Sequence, residues 1–285
     1  MKAFIEVKNA SFKYDKNSLK SLAIKNINMT INKGEFVAII GHNGSGKSTL
    51  AKHFNAILVP TEGKVFVKKK DTSDENETYK IRSSVGLVLQ NPDNQIVSSV
   101  VEDDVAFGPE NLGIDPDEIR KRVDFALNAV GIFDKKREFV HKLSGGQKQK
   151  VAIASILAMN PECLVMDEST AMLDPQGRKE LLKTLLDLNK KQNITVIIIT
   201  HFMEEAVLAN KIFVMKNGEI VDNGDKNIFS KLDLLRSCNL SLTQPMKLIL
   251  SLKKMGFNVK GNPLNSRECA NILHNFLKTN DFKQK

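Results

Sequence analysis

Gly41-His42-Asn43-Gly44-Ser45-Gly46-Lys47-Ser48-Thr49 satisfies the pattern G-x-x-x-x-G-K-[ST] at every fixed position. Its chemistry is that of polyphosphate binding. Glycines let successive backbone N–H groups curl round the phosphates, and a helix N-terminus adds partial positive charge. Lys47 is placed to neutralise the β- and γ-phosphates and the Ser48 hydroxyl to sit on Mg²⁺. Cys163-Leu164-Val165-Met166 then runs into Asp167-Glu168, which puts two carboxylates at the end of an apolar strand. Asp167 suits a Mg²⁺ ligand, direct or through water, and Glu168 suits the group that orients or deprotonates an attacking water. His201 follows the apolar run Thr195–Thr200. A lone histidine is commonly structural, but this one leaves a strand of the same sheet and can reach a γ-phosphate. Leu143-Ser144-Gly145-Gly146-Gln147 again sets glycines and a hydroxyl at a helix start, a second surface built to receive phosphate. One nucleotide cannot obviously use both within one compact fold. A dimer, with each nucleotide sandwiched between the first loop of one subunit and the second loop of its partner, resolves this.

The elements that must position these residues can be read from periodicity. Phe36–Ile40 is a buried strand before the phosphate loop, and Lys47–Leu58 reads as the helix after it. Ala3–Val7 and Ile24–Ile31 alternate at period two and predict β-structure upstream. Tyr14 follows the first of these; it can stack on an adenine ring, and an exposed strand aromatic would look the same. Residues 68–80 are highly charged and predict a surface loop with one helical turn. Val85–Leu89 is a strand ending at Gln90, followed by Asn91-Pro92-Asp93-Asn94-Gln95. From Val100 to Val140 short helices are expected, broken at Gly108-Pro109, Gly113 and Pro116. Lys148–Met159 continues the second glycine loop as a helix. Ile212–Met215, Asn217-Gly218 and Glu219–Asp222 read as a hairpin with a two-residue turn.

The chain of 285 residues is 41% hydrophobic and 26% charged, the balance of a soluble globular protein. No apolar run approaches the about 20 residues of a spanning helix, and the N-terminus lacks a signal-peptide core. Cys163, Cys238 and Cys269 are scattered and form no C-x-x-C pair, which predicts reduced thiols in a cytosolic compartment and no zinc site. Of the net charge of +9, residues 226–285 carry +8. Such a segment fits an acidic partner, a membrane surface or nucleic acid, or is a set of solvated lysines on small helices.

The phosphate loop at 41–49, Gln90, LSGGQ at 143–147, CLVMDE at 163–168, STAMLDP around Asp174 and His201 resemble the ATP-binding cassette (ABC) ATPases in order and spacing, over roughly residues 1–230. The resemblance implies an α/β P-loop NTPase fold: a RecA-like core, an antiparallel β-subdomain, and a helical subdomain at about 95–160 carrying LSGGQ. It makes Tyr14 the adenine-stacking aromatic and Gln90 a lid residue sensing Mg²⁺ and the attacking water. It makes Glu168 the catalytic base and His201 the γ-phosphate contact. Nucleotide binding falls to Tyr14, to 41–49 and to Ser144, Gly145, Gly146 and Gln147, and Mg²⁺ to Ser48, Gln90 and Asp167.

GHNGSGKST, QNPDNQIV, VEDDVAFGPENLG and DESTAMLDP further resemble the ATPases of energy-coupling factor transporters, which import vitamins and transition-metal ions, with the first of their two paralogous cassettes the nearer pattern. That implies as partners a second cassette, a membrane scaffold and a substrate-binding membrane subunit, with the chain peripheral on the cytoplasmic face. It also implies that 231–285 is a C-terminal helical extension holding the dimer together, with Leu248, Leu252 and Met255 at helical spacing. Lys150 stands where the signature helix usually carries Arg, and Ser169 where a small apolar residue is customary. Two other readings are the cassette of a binding-protein-dependent importer and a soluble ABC protein acting on nucleic acid. The second lacks the tandem cassettes or coiled-coil inserts usual there, and the basic tail lacks aromatic interleaving for base stacking.

Overall fold

The computed structural model describes residues 2–15 and 22–279, so the last six residues of the expected C-terminal extension lie outside the described residues. The chain begins with β1 (Ala3–Phe12), β2 (Ile24–Asn32) and β3 (Phe36–Gly41), then α1 (Lys47–Phe54), β4 (Glu62–Val67), β5 (Lys70–Asp71), α2 (Thr78–Ser84) and β6 (Val85–Val88). A helical stretch follows, with α3 (Val101–Asn111), α4 (Pro116–Ala129) and α5 (Gly145–Ala158). β7 (Cys163–Asp167), α6 (Pro175–Gln192), β8 (Thr195–Thr200), α7 (Met203–Ala206), β9 (Lys211–Lys216) and β10 (Glu219–Gly224) complete the core. Three helices, α8 (Leu232–Ser237), α9 (Gln244–Lys254) and α10 (Ser266–Thr279), end it.

Two sheets result. The first is antiparallel in the order β2-β1-β4-β5; the second runs β10-β9-β3-β8-β7-β6 and is parallel from β9 to β6. Every residue of β3, β7 and β8 is buried, as expected where a parallel sheet is covered on both faces. Alternation along β3 splits the core. Phe36, Ala38 and Ile40 join Val105, Leu127, Val151 and Leu185 on the helical side, while Val37 and Ile39 join Ile5, Ile24, Leu50 and Phe54 under the antiparallel sheet. Parallel pairing of β3, β8, β7 and β6 also has a functional consequence. Their carboxyl ends lie side by side, so the loops opened at Gly41, His201, Glu168 and Gln90 leave one edge of the sheet. That edge is the ligand crevice of an open α/β sheet.

Three expectations need revision. The helix after the phosphate loop stops at Phe54 rather than Leu58: Ala56 turns to φ 54°, and the Ile57 and Leu58 N–H groups both return to the Lys52 carbonyl. Apolar character continued past the point where the backbone had already capped. Gly108-Pro109 does not break α3. The helix ends two residues beyond Pro109, and a Cβ at Gly108 would stand 2.7 Å from Met159 Cγ, so this glycine permits close approach of α3 to α5. The charged stretch 68–80 is more ordered than a loop: it holds β5, a short 3₁₀ turn capped by Asp74 and the start of α2, tied by ion pairs from Lys64 to Asp71 and Lys70 to Glu77. The hairpin at Asn217-Gly218 forms as expected, with φ of 50° and 86° at its two turn residues.

The C-terminal helices divide. Leu235, Cys238, Leu240 and Met246 pack into the helical-side core, whereas Ile249, Val259 and Cys269 form a separate small cluster. All three cysteines are free and buried. Among the described residues no helix is long and apolar enough to cross a membrane.

Candidate nucleotide site

β3 delivers the phosphate loop and α1 starts directly from it, with Gly46 at φ 99° before Lys47. A Cβ on Gly46 would stand 2.5 Å from the Ala23 carbonyl oxygen, so only glycine permits this turn beside the neighbouring chain. The loop closes a cavity of about 470 Å³ lined by Asn43, Gly44, Gly46, Lys47, Ser48 and Thr49. Tyr14, Ala23, Gln90 and Glu168 line it as well. Tyr14 is 63% exposed; its ring meets Phe12 edge-on at 5.0 Å and its hydroxyl lies 3.1 Å from Thr49 Oγ1. Thus one flank of the cavity is an aromatic anchored to the first turn of α1.

Lys47 is 3% exposed, and its ammonium donates to the Gly41 and His42 carbonyls at 3.0 Å each. It stands 3.4 Å from Glu168 Oε1. The other Glu168 oxygen receives Gln90 Nε2 at 3.4 Å and lies 3.5 Å from His201 Nδ1. Ser48 Oγ donates to Asp167 Oδ1 at 2.8 Å. The P-loop lysine and hydroxyl, both carboxylates, Gln90 and His201 therefore converge on one place. Glu168 takes φ 46°, a left-handed backbone that a non-glycine residue adopts only when its surroundings impose it, here through its N–H to the Ile199 carbonyl at 3.0 Å. The ring of His42 turns away to the Asn43 carbonyl at 2.7 Å, and Ser45 is buried under the loop. Both support the loop more than they face the cavity.

Burial pushes the Asp167 carboxyl above the usual carboxylate range; the Ser48 hydroxyl pulls it down, and the Glu168 charge pushes it further up. A carboxyl raised on folding contributes stability below its ordinary pKa, and that contribution is lost as pH rises through the folded value. Holding Asp167 in the ligand-free fold is accordingly a cost at neutral pH, where the unfolded carboxyl ionises freely. Asp167→Asn is expected to raise the melting temperature of the nucleotide-free chain at pH 7, with the gain vanishing below the ordinary carboxylate range. Calorimetry across that pH range checks it; equal melting temperatures at neutral pH would contradict it.

Ser144–Gln147 lies elsewhere. Ser144 and Gln147 form a capping box at the start of α5: Ser144 Oγ accepts the Gln147 N–H at 3.3 Å, and Gln147 Oε1 accepts the Ser144 N–H at 2.9 Å. None of these four residues lines the P-loop cavity. Sequence reasoning missed the residues that hold Gln90's strand end to α5. The Leu89 N–H is taken by Gln95 Oε1 at 2.9 Å and its carbonyl by Gln149 Nε2 at 3.2 Å, while Gln95 Nε2 also donates to the Ala152 carbonyl at 2.8 Å. The second Gln of QNPDNQ was the available signal. Lys150 donates to the Gly131 carbonyl at 3.4 Å, and the Ser169 hydroxyl is buried without a hydrogen-bond partner among the described residues.

Comparison with known proteins agrees with this geometry. Residues 24–171 match the ABC transporter family. The chain is 53% identical to the energy-coupling factor transporter ATP-binding protein EcfA1 of Clostridium novyi over 94% of this chain and 97% of that one, and 52% identical to EcfA1 of Clostridioides difficile over 93% and 96%. Among solved structures, cbiO1 of Clostridium perfringens, part of the ABC transporter complex cbiONQ, superposes with a TM-score of 0.73 at 41% identity, covering 89% of this chain and all of that one. The dimeric ATP-binding cassette MJ0796 bound to ADP and Pi gives 0.73 at 32% identity over 78% and 98%. The chain belongs to the ABC transporter ATPases, in the branch of the energy-coupling factor ATP-binding subunits.

Proposed function

We propose that this ATPase powers uptake of a vitamin or transition-metal ion through membrane partners, and that it hydrolyses ATP in a site completed by a second cassette. The observation that carries the reading is the convergence of Lys47, Ser48, Asp167, Glu168, Gln90 and His201 on one cavity. The P-loop N–H groups and Lys47 bind and orient the β- and γ-phosphates. Ser48, Asp167 and Gln90 would hold Mg²⁺; a hydroxyl and a carboxylate already 2.8 Å apart at the cavity, both oxygen donors, fit that ion. Bound there, Mg²⁺ supplies charge neutralisation on the phosphate oxygens. Glu168 accepts the proton of the attacking water, and His201, on the far side of the same carboxylate, contacts the γ-phosphate. Tyr14 stacks on adenine.

Ser144–Gln147, with Ser144 and Gly145 exposed, Gly146 and Gln147 half-buried and all four outside their own chain's cavity, closes the partner's nucleotide. The partner cassette is a second ABC ATPase. A membrane scaffold docks on the helical subdomain, where a groove of about 390 Å³ is lined by Glu102, Asp103 and Glu110 beside Ile114 and Ile119. Lys136 engages Glu102 at 3.5 Å and Asp124 at 2.6 Å, which leaves Asp103 and Glu110 to meet a basic segment. A separate membrane subunit selects the substrate, and the chain sits peripherally on the cytoplasmic side; no nucleic acid is a partner. The 231–285 extension supports dimerisation. α9 turns Met246 and Ile249 inward and leaves Leu248 46% and Met255 73% exposed, an apolar face without cover in one chain. Leu248→Glu with Met255→Glu is expected to weaken dimerisation about tenfold or more without lowering the melting temperature of the monomer. Sedimentation checks it; unchanged association would remove this face from the interface.

The function is tested by purifying the tagged chain from native membranes in mild detergent and identifying its partners by mass spectrometry. Recovery of a second cassette with small integral-membrane proteins supports the reading. Recovery of a conventional permease pair, or of soluble protein on nucleic acid, overturns it.

A further inference from the structure

Behind the nucleotide cavity lies a buried acid that the proposed mechanism does not use. Glu205, on α7, is 1% exposed, and its Oε1 accepts the Thr170 hydroxyl at 2.7 Å. Thr170 is itself buried and stands two residues after Glu168, inside the turn closed by the Ala171 N–H on the Glu168 carbonyl at 3.2 Å. The same Oε1 also faces Arg178 of α6, whose Nε is 3.8 Å away. The Arg178 guanidinium lies over the Phe202 ring at 3.9 Å, and Phe202 in turn meets the His201 ring at 4.2 Å. Four segments thus meet at one carboxylate: the turn after β7, the start of α6, the loop after β8 and α7.

We infer that Glu205 is a positioning residue that clamps the loop bearing Glu168 to the loop bearing His201. The inference rests on the roles proposed above for those two residues. Glu168 occupies a left-handed backbone conformation, which must be held by contacts beyond its own. Its carboxylate also has to stay within reach of Lys47, Gln90 and His201, groups that arrive on three other loops. The Thr170–Glu205 bond holds that turn to α7, and the Arg178–Phe202–His201 stack holds the loop after β8 beside it. Burying a carboxylate is expensive unless its partners compensate, and burial does push the Glu205 carboxyl upward against the pull of Thr170, Thr200, Arg178 and His201. An apolar residue would fill the space at less cost but would join none of these loops. Glu205 is therefore a candidate for precision of placement rather than for stability.

The test compares Glu205→Ala, Glu205→Gln and Thr170→Val in the full chain within its assembled complex. Misplacement of reacting groups by about 1 Å costs up to about 10²-fold, so Glu205→Ala and Thr170→Val are expected to lower kcat about 10–100-fold. KM for ATP should stay within about twofold, because the P-loop contacts are untouched. Glu205→Gln keeps an oxygen for the Thr170 hydroxyl and is expected to recover kcat to within about threefold of wild type. A packing role alone would lower the melting temperature, kcat and ATP binding together, and Gln would give no selective rescue of kcat; that pattern overturns the clamp. So does a kcat for Glu205→Ala within about twofold of wild type. Should Glu205→Ala fail to fold, the near-isosteric Thr170→Val carries the test, and unchanged kcat there overturns the clamp. Glu168→Gln is measured alongside. If it turns over normally, the base assignment fails whatever Glu205 shows; if it is inactive while Glu205→Ala and Thr170→Val are normal, only the clamp fails.

Discussion

Glu168→Gln is expected to lower ATP turnover by about 10²–10⁴-fold while leaving Mg²⁺-ATP binding at least as tight as wild type. The two halves of that result have separate causes. A carboxamide cannot take the proton of an attacking water, so hydrolysis loses its base. The groups placed to hold the phosphates and metal (Lys47, Ser48 and Asp167) keep their positions, and the Lys47 ammonium loses a carboxylate 3.4 Å away that competes with phosphate for it. The shape is near-isosteric, so the left-handed turn at residue 168 and its bond to the Ile199 carbonyl are retained. Single-turnover hydrolysis and equilibrium nucleotide binding, measured on one preparation, separate the effects. Turnover within about tenfold of wild type would remove Glu168 from the role of base.

Lys47→Ala is expected to fail one step earlier, at binding. Its ammonium is buried against two carbonyls and a carboxylate. Charge-assisted hydrogen bonds of this kind contribute about 1.5–3 kcal/mol each, so loss of the phosphate contact should weaken ATP binding about 10–100-fold. Removing charge stabilisation from the transition state should take turnover down about 10³-fold or more. The buried Glu168 carboxylate also loses its cationic partner, which leaves the nucleotide-free chain less stable. Calorimetric titration with ATP, a steady-state turnover assay and a thermal melt check the three parts. Wild-type affinity would contradict the placement of Lys47 on the phosphates.

The chemistry of the site was legible because it is written in contiguous runs. A phosphate loop, a strand ending in two carboxylates and a strand ending in histidine each announce their own position, and parallel pairing of β3, β8 and β7 does the rest. What stayed hidden depends on contacts between segments far apart in sequence. Glu205 is one acid in an ordinary helical run until the fold lays it against Thr170 and Arg178. Gly108-Pro109 reads as a helix break, yet the helix runs through both, and the glycine leaves room for the Met159 side chain at the end of α5. The end of α1 was missed because Ala56, in a left-handed turn, carries no glycine to mark it. Likewise, only the packing reveals that Leu235, Cys238, Leu240 and Met246 belong to the main core while Ile249, Val259 and Cys269 form their own cluster.

The proposal that two cassettes share each nucleotide rests on Ser144–Gln147 lying outside its own chain's cavity, and one substitution at Gly145 addresses it. A Cβ at Gly145 meets nothing within 4 Å, and an acidic residue in the first turn of α5 suits the helix dipole, so Gly145→Asp changes the surface without straining the fold. It also places negative charge where a partner's phosphate would dock. The decisive measurement is ATP turnover of the assembled complex carrying Gly145→Asp, beside ATP binding by the isolated chain. Turnover is expected to collapse while the isolated chain binds ATP as wild type does, because Ser144–Gln147 lies outside its own cavity. Undiminished turnover, or loss of binding in the isolated chain, would contradict it.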